Sequence, residues 1–135
     1  MKNYLVTIAV IFSLNFCLNA QNSGRITGKL TYPSDYIPPD MVLCLETTHR
    51  TICSNSKNIN GYVFKINPRT ATYSITLPVG NYYIFGLTNE MRGVKAYYNE
   101  FVRCGMDVKC KSKKKILLEV KLGKTIRGIT IGDWY

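Results

Sequence analysis

Apolar residues alternate with polar residues in short runs along most of the chain, and Gly, Pro and Asn separate these runs. Alternation with a period of two is typical of β-strands with one buried face, and no long 3.6-residue periodicity follows the first twenty residues. The pattern predicts an all-β protein that folds as a single antiparallel β-sandwich of about seven to nine short strands. The predicted strands include RITGKLTY, YVFKI, KKKILLEVKLG, a final strand in GKTIRGITIGDWY, and an edge strand or irregular segment in VKAYYNEFV.

Two segments predict hairpins. In MVLCLETTHRTIC the turn falls at Thr47, Thr48 and His49, which would place Cys44 and Cys53 near one another on adjacent strands.

The second hairpin is predicted in TYSITLPVGNYYIFGL, with a turn at residues 78–81 that carries Pro and Gly. On the returning strand Tyr82 and Ile84 would face the core. Tyr83 and Phe85 would then lie on the opposite face, exposed or covered by a loop.

The first twenty residues have the pattern of a secretory signal peptide. Lys2 gives a positive charge, an apolar stretch follows, and Ala20 ends a plausible cleavage site. The stretch is shorter than the roughly 20 residues of a membrane span, and no second hydrophobic segment follows, so we expect no transmembrane segment. The sequence thus predicts a signal peptide at 1–20, a β-sandwich domain at 21–135, and a secreted or periplasmic protein.

Cys17 raises an alternative, a lipoprotein anchored through this residue. The residue before a lipidated cysteine is normally small, and here it is Phe16, so this alternative is the less favoured one.

Four cysteines remain after the predicted cleavage, an even number in an exported chain, where disulfides persist. Three pairings are open, and hairpin geometry favours the local one, which joins Cys44 to Cys53 and Cys104 to Cys110. The five residues between Cys104 and Cys110 exceed the spacing of a zinc knuckle, and no Cys-x-x-Cys motif is present. We therefore expect structural disulfides and no metal or other cofactor.

The chain carries 18 Lys and Arg against 8 Asp and Glu, a net charge of +10. Such a charge favours solubility or association with anions, and lysines at an exposed edge strand also discourage aggregation. Export makes nucleic acid a poor candidate partner, whereas acidic glycans and anionic head groups are accessible. Lysines concentrate around Cys110, at Lys109, Lys111, Lys113, Lys114 and Lys115.

Catalysis has little support in the sequence. The chain has one histidine, His49, in a predicted turn, and no nucleophile motif accompanies it. We expect no catalytic residues and no enzyme activity.

The segments GRITGKLTY and YSITLPVGNYYIFG resemble the carboxypeptidase regulatory-like, or transthyretin-like, β-sandwich domains. The C-terminal part is similar to small exported bacterial proteins that end in Asp-Trp-Tyr. The resemblance implies a sandwich that serves as a noncatalytic module, often in surface proteins or carbohydrate-handling systems, and implies no chemistry. The matching residues are Gly24, Ile26, Gly28, Leu77, Pro78, Gly80 and Tyr82.

The function expected from these features is a noncatalytic exported binding or structural module that recognises carbohydrate or another anionic cell-surface polymer. The alternative is a protein-interaction module, such as an adhesion component or a protease inhibitor, that binds an envelope protein through an edge strand or the His49 hairpin. Tyrosine rings suit sugar faces, although they equally fill a thin core. The candidate ligand-binding residues are Tyr83, Tyr97, Tyr98, Lys111, Lys113 and Lys115.

Overall fold

The computed structural model describes residues 22–135, so the predicted signal peptide, its predicted cleavage site and Cys17 lie outside the described residues. The described part contains nine strands and one short helix. None of its helices is long and apolar enough to cross a membrane. The elements are β1 Ser23–Lys29, β2 Val42–Glu46, β3 Thr51–Cys53, β4 Val63–Asn67, β5 Thr72–Pro78, β6 Gly80–Leu87, β7 Ala96–Tyr97, α1 Glu100–Arg103, β8 Leu118–Val120 and β9 Thr125–Ile126.

The strands form two sheets, which confirms the all-β sandwich. The first sheet has the order β4-β5-β1-β9, and the second has the order β3-β2-β6-β7 with β8 also paired to β6. The pairs are antiparallel, except that β9 runs parallel to β1.

Alternating side chains from both sheets fill the core. Ile26 and Ile75 belong to the first sheet, Leu43 and Ile84 belong to the second, and all four are fully buried. Each such side chain stabilises the fold by about 1.5–3 kcal/mol through removal of apolar surface from water.

The predicted hairpin at residues 78–81 is wrong. β5 pairs with β1 and β4, whereas β6 pairs with β2, β7 and β8, so the chain crosses from one sheet to the other at Val79. The Tyr82 hydroxyl donates a hydrogen bond of 2.9 Å to the Pro78 carbonyl and so holds this crossing. The apolar alternation could not distinguish the two arrangements, because both direct the same side chains to the core.

Two glycines of β1 allow the C-terminal part of the chain to pass close to this strand. A Cβ atom at Gly28 would lie 1.8 Å from the Ile129 carbonyl oxygen, and one at Gly24 would lie 2.5 Å from the Lys121 carbonyl oxygen. The predicted final strand is short, since only Thr125–Ile126 forms β9.

The predicted edge strand in VKAYYNEFV is only partly confirmed. It contains the two-residue strand β7, and the helix α1 then begins. Asn99 caps this helix, because its side-chain oxygen accepts a hydrogen bond of 3.0 Å from the Val102 amide.

Both disulfides join neighbouring cysteines. Cys44 and Cys53 face each other across β2 and β3 with their Cα atoms 4.0 Å apart. Cys104 and Cys110 close the loop after α1, with their Cα atoms 5.9 Å apart.

Candidate functional site

The outer face of the second sheet carries the candidate site. Strand pairing places Tyr83 opposite Glu46, and Phe85 opposite both Cys44 and Tyr97. Because alternate residues of a strand share a face, these side chains lie on the side opposite the core residues of the same strands. The predicted separation of Tyr83 and Phe85 from the buried Tyr82 is thus the arrangement found.

Phe85 forms the floor of this face. Its ring is 1% exposed, and the ring of Tyr97 packs against it at a centroid distance of 4.8 Å. The Lys95 ammonium lies 5.1 Å from the centroid of the Phe85 ring. Phe85 is therefore covered, whereas Tyr83 and Tyr97 remain partly exposed.

Lys115 brings the two tyrosines and a carboxylate together. Its ammonium lies 4.6 Å from the ring centroid of Tyr83 and 4.7 Å from that of Tyr97, both within range of a cation–π interaction. The same ammonium donates a hydrogen bond of 2.7 Å to Glu46 Oε1. We call Glu46, Tyr83, Tyr97 and Lys115 the tyrosine–lysine patch.

Hydrogen bonding and burial shift the pKa values of Glu46 and Tyr97 in opposite directions. The hydrogen bonds from Lys115 and then from Tyr97 lower the pKa of Glu46, although partial burial opposes them. Burial, followed by the hydrogen bond to Glu46, raises the pKa of Tyr97. At neutral pH Glu46 is therefore a carboxylate and Tyr97 keeps its phenol O–H.

These groups suit the recognition of hydroxyl-bearing ligands. The Glu46 carboxylate has lone pairs beyond those used by Lys115 Nζ and the Tyr97 hydroxyl, and the ammonium group has further N–H donors. Tyrosine rings offer apolar faces next to these polar atoms. The arrangement supplies binding groups and contains no nucleophile paired with a general base.

Lys113 has a different position and partner. Its ammonium lies 3.0 Å from Asp133 Oδ1 and 2.9 Å from the Tyr135 backbone oxygen. The buried Asp133 also accepts a hydrogen bond of 2.6 Å from the Asn99 side chain. Lys113 thus joins the C-terminal residues to the cap of α1, and we assign it a structural role.

The remaining two predicted ligand-binding residues do not join the patch. Tyr98, a candidate ligand-binding residue, is 8% exposed and belongs to the core cluster, so its ring offers little surface to a ligand. Lys111 is exposed and lines a groove of about 430 Å³ beside the Cys104–Cys110 disulfide.

The sequence interpretation missed Glu46 and Asp133 as partners of the lysines. Glu46 carried a usable signal, because a single carboxylate at the end of an apolar strand would lie on its outer face. Asp133 carried none, since its partners Lys113 and Asn99 are 20 and 34 residues away in sequence.

His49 lies exposed in the turn between β2 and β3. In the described part of the chain no group of three or more His, Cys, Asp or Glu residues is placed to hold a metal ion.

No protein-family model matches the chain, and no curated protein matches it. Among solved structures, a DUF3823 family protein from Bacteroides ovatus ATCC 8483 is similar, with 15% sequence identity and a TM-score of 0.43. The match covers 81% of this chain and 44% of that protein, so this chain spans less than half of its length.

Proposed function

We propose that the protein is a noncatalytic binding module that recognises carbohydrate chains of the cell surface at the tyrosine–lysine patch. The observation that carries this proposal is the convergence of Tyr83, Tyr97 and Lys115 on Glu46. Sugar rings would stack on the tyrosines, while the carboxylate and the ammonium group bind sugar hydroxyls.

The charge of the patch narrows the ligand class. Glu46 already pairs with Lys115 at 2.7 Å, so the two charges largely cancel. A ligand of this patch therefore needs hydroxyl groups more than negative charge, and we favour neutral or weakly acidic glycans over strongly anionic polymers.

The proposal includes export and the resemblance to carboxypeptidase regulatory-like domains. Two disulfides fit an oxidising compartment. Two residues of the resembling motifs have structural roles in this fold. Gly28 allows a close approach of the backbone at Ile129, and Tyr82 donates a hydrogen bond across the crossing between the sheets.

Binding of the processed protein to a panel of neutral and acidic surface glycans, at two salt concentrations, tests the proposal. Tyr83→Ala should weaken binding of the best glycan by at least about fivefold, because a stacking surface is lost. Tyr36→Ala is the matched control, since Tyr36 is a tyrosine with 58% exposure outside the patch. Equal affinities of wild type and Tyr83→Ala, or no glycan binding at either salt concentration, would reject the patch as a glycan site.

A protein-interaction module is the second candidate, and the edge strand β4 favours it. β4 pairs only with β5 among the described strands, and Val63 on this strand is 51% exposed. An extended segment of an envelope protein would add to this edge through backbone hydrogen bonds. Binding to such a partner should depend little on salt, because backbone hydrogen bonds between strands are not screened as charge pairs are, and binding that weakens steeply as salt rises would reject this candidate.

A further inference from the structure

The loop closed by the Cys104–Cys110 disulfide presents an apolar side chain to solvent. Val108 is 93% exposed, the largest exposed fraction among the large hydrophobic residues of the described chain. By comparison, Val63 and Val79 are 51% and 46% exposed.

Local hydrogen bonds hold Val108 at the tip of this loop. The Cys110 amide donates to the Asp107 carbonyl at 2.8 Å, and the Lys109 amide donates to Asp107 Oδ1 at 3.1 Å. Positive φ angles at Gly105 and Met106, of 99° and 57°, turn the chain before the tip. The disulfide and this turn therefore restrict the conformations that the loop can adopt, which lowers the entropy that binding would cost.

Basic residues flank the tip in the sequence and line a groove beside the disulfide. Arg103, Lys109 and Lys111 line the groove of about 430 Å³ beside the disulfide, together with Glu100. A further cation, Lys114, follows in the same segment, and within residues 22–135 these four basic side chains take part in no ion pair. With Glu100 and Asp107 counted, the region keeps a net positive charge.

We propose that this loop is a contact site for bilayers that contain anionic phospholipids. Val108 would enter the interfacial region of the bilayer, while Arg103, Lys109 and Lys111 bind head-group phosphates. A soluble polyanion would use the same cations but would give Val108 no apolar environment, so the exposed valine favours lipid. The site shares no residue with the tyrosine–lysine patch, so a failure of one proposal leaves the other untouched.

Vesicle co-sedimentation tests the proposal. Protein that has been exported and processed, and whose intact mass shows no acyl chain, is mixed with vesicles of phosphatidylcholine alone or with about 30% phosphatidylglycerol, a content chosen to give a strongly negative surface. We expect binding only to the anionic vesicles and loss of most binding at 0.5 M salt, because screening at about this ionic strength shortens electrostatic attraction to a few Å.

Substitutions separate the contribution of apolar burial at Val108 from the contribution of the basic side chains. Val108→Ser should lower the partition coefficient by about threefold to tenfold through the loss of apolar burial, and Val108→Trp should raise it. Lys109→Glu combined with Lys111→Glu should lower it by at least about tenfold. The matched controls are Val63→Ser, and Lys65→Glu combined with Arg69→Glu, which make the same change of side chain or of net charge on or beside β4 and should leave binding unchanged.

Three results would overturn the proposal. The first is equal partitioning of wild type and Val108→Ser. The second is a loss of binding in the double variant of Lys65 and Arg69 as large as that in the double variant of Lys109 and Lys111, which would indicate attraction by net charge alone. The third is binding to dextran sulfate with no binding to anionic vesicles, which would make the basic loop a polyanion site.

Discussion

Lysines that lie within five residues of one another in the sequence have different roles, because their partners come from distant parts of the chain. Lys115 pairs with Glu46 on β2, and Lys113 pairs with Asp133 near the C-terminus. Lys111 pairs with no carboxylate among residues 22–135 and lies at the groove beside the disulfide. The lysine-rich segment is therefore not one uniform anion-binding surface.

The pair of Glu46 and Lys115 should make stability depend on pH. Since the pKa of Glu46 is lowered in the folded state, its contribution is present above the unfolded value of about 4.3 and is lost as pH falls through the folded pKa. We expect Glu46→Gln to reduce the free energy of unfolding by about 0.5–1 kcal/mol at pH 7, a modest amount because the pair is partly exposed, and by less at pH 3.

Urea unfolding of wild type and Glu46→Gln at both pH values measures this difference. Glu119→Gln is the control, because the Glu119 side chain is 70% exposed and its pair with Lys121 is long, at 3.9 Å. A stability difference for Glu46→Gln that is the same at pH 3 and pH 7 would contradict the assigned ion pair.

Among the elements, the two disulfides occupy different environments. Cys44 is fully buried on the outer face of the second sheet, whereas Cys104 is exposed at the loop after α1. Since reduction requires a thiolate to reach a sulfur atom, access should decide which disulfide reacts first.

Mild reduction of the folded protein should open Cys104–Cys110 and leave Cys44–Cys53 intact. Alkylation after increasing times, followed by peptide mass spectrometry, identifies the labelled cysteines. Labelling of Cys44 and Cys53 at the same rate as Cys104 and Cys110 would show that the Cys44–Cys53 disulfide is accessible and would contradict the burial of Cys44.

The elements also show what the sequence could and could not predict. The hairpin of β2 and β3 was predicted and confirmed, because its turn and its two strands are contiguous. The crossing between β5 and β6 was not predicted, since alternation tells which side chains are buried and not which sheet buries them. The helix α1 is too short for a periodic signal, and its local indications are the cap Asn99, the acidic Glu100 in its first turn and the basic Arg103 in its last turn.

At the scale of the whole molecule, the C-terminal residues join the sandwich to the lysine-rich segment. Trp134 is 1% exposed, and its Nε1 donates a hydrogen bond of 2.7 Å to the Thr31 carbonyl. Beside it, the Asp133 carboxylate accepts hydrogen bonds from the side chains of Lys113 and Asn99. Trp134 therefore closes this end of the core, whereas the adjacent Tyr135 is 80% exposed.

Trp134→Ala should reduce the free energy of unfolding by about 3–5 kcal/mol, because it leaves a large cavity in the core. Tyr135→Ala removes an adjacent aromatic ring that is exposed, and it should change stability by no more than about 0.5 kcal/mol. Chemical denaturation of the two variants compares them directly, and equal losses would show that Trp134 does not fill the core as described.

The placement of the candidate site was only partly predictable at this scale. Tyr83, Tyr97 and Lys115 were candidates from the sequence, but their convergence depends on the pairing of β6 with β2 and β7 and on the bridge between Asn99 and Lys115. Tyr98 was a candidate on the same grounds as Tyr97, and strand register places it in the core. Register between strands distant in sequence is not encoded in local alternation.

The most direct test of glycan recognition is an NMR titration of the ¹⁵N-labelled processed protein with the glycan that binds best in the panel. The account predicts that the backbone amide shifts change mainly at Glu46, Tyr83, Tyr97, Lys115 and their strand neighbours. Changes confined to the β4 edge or to the loop closed by Cys104 and Cys110, or no changes at saturating glycan, would contradict it.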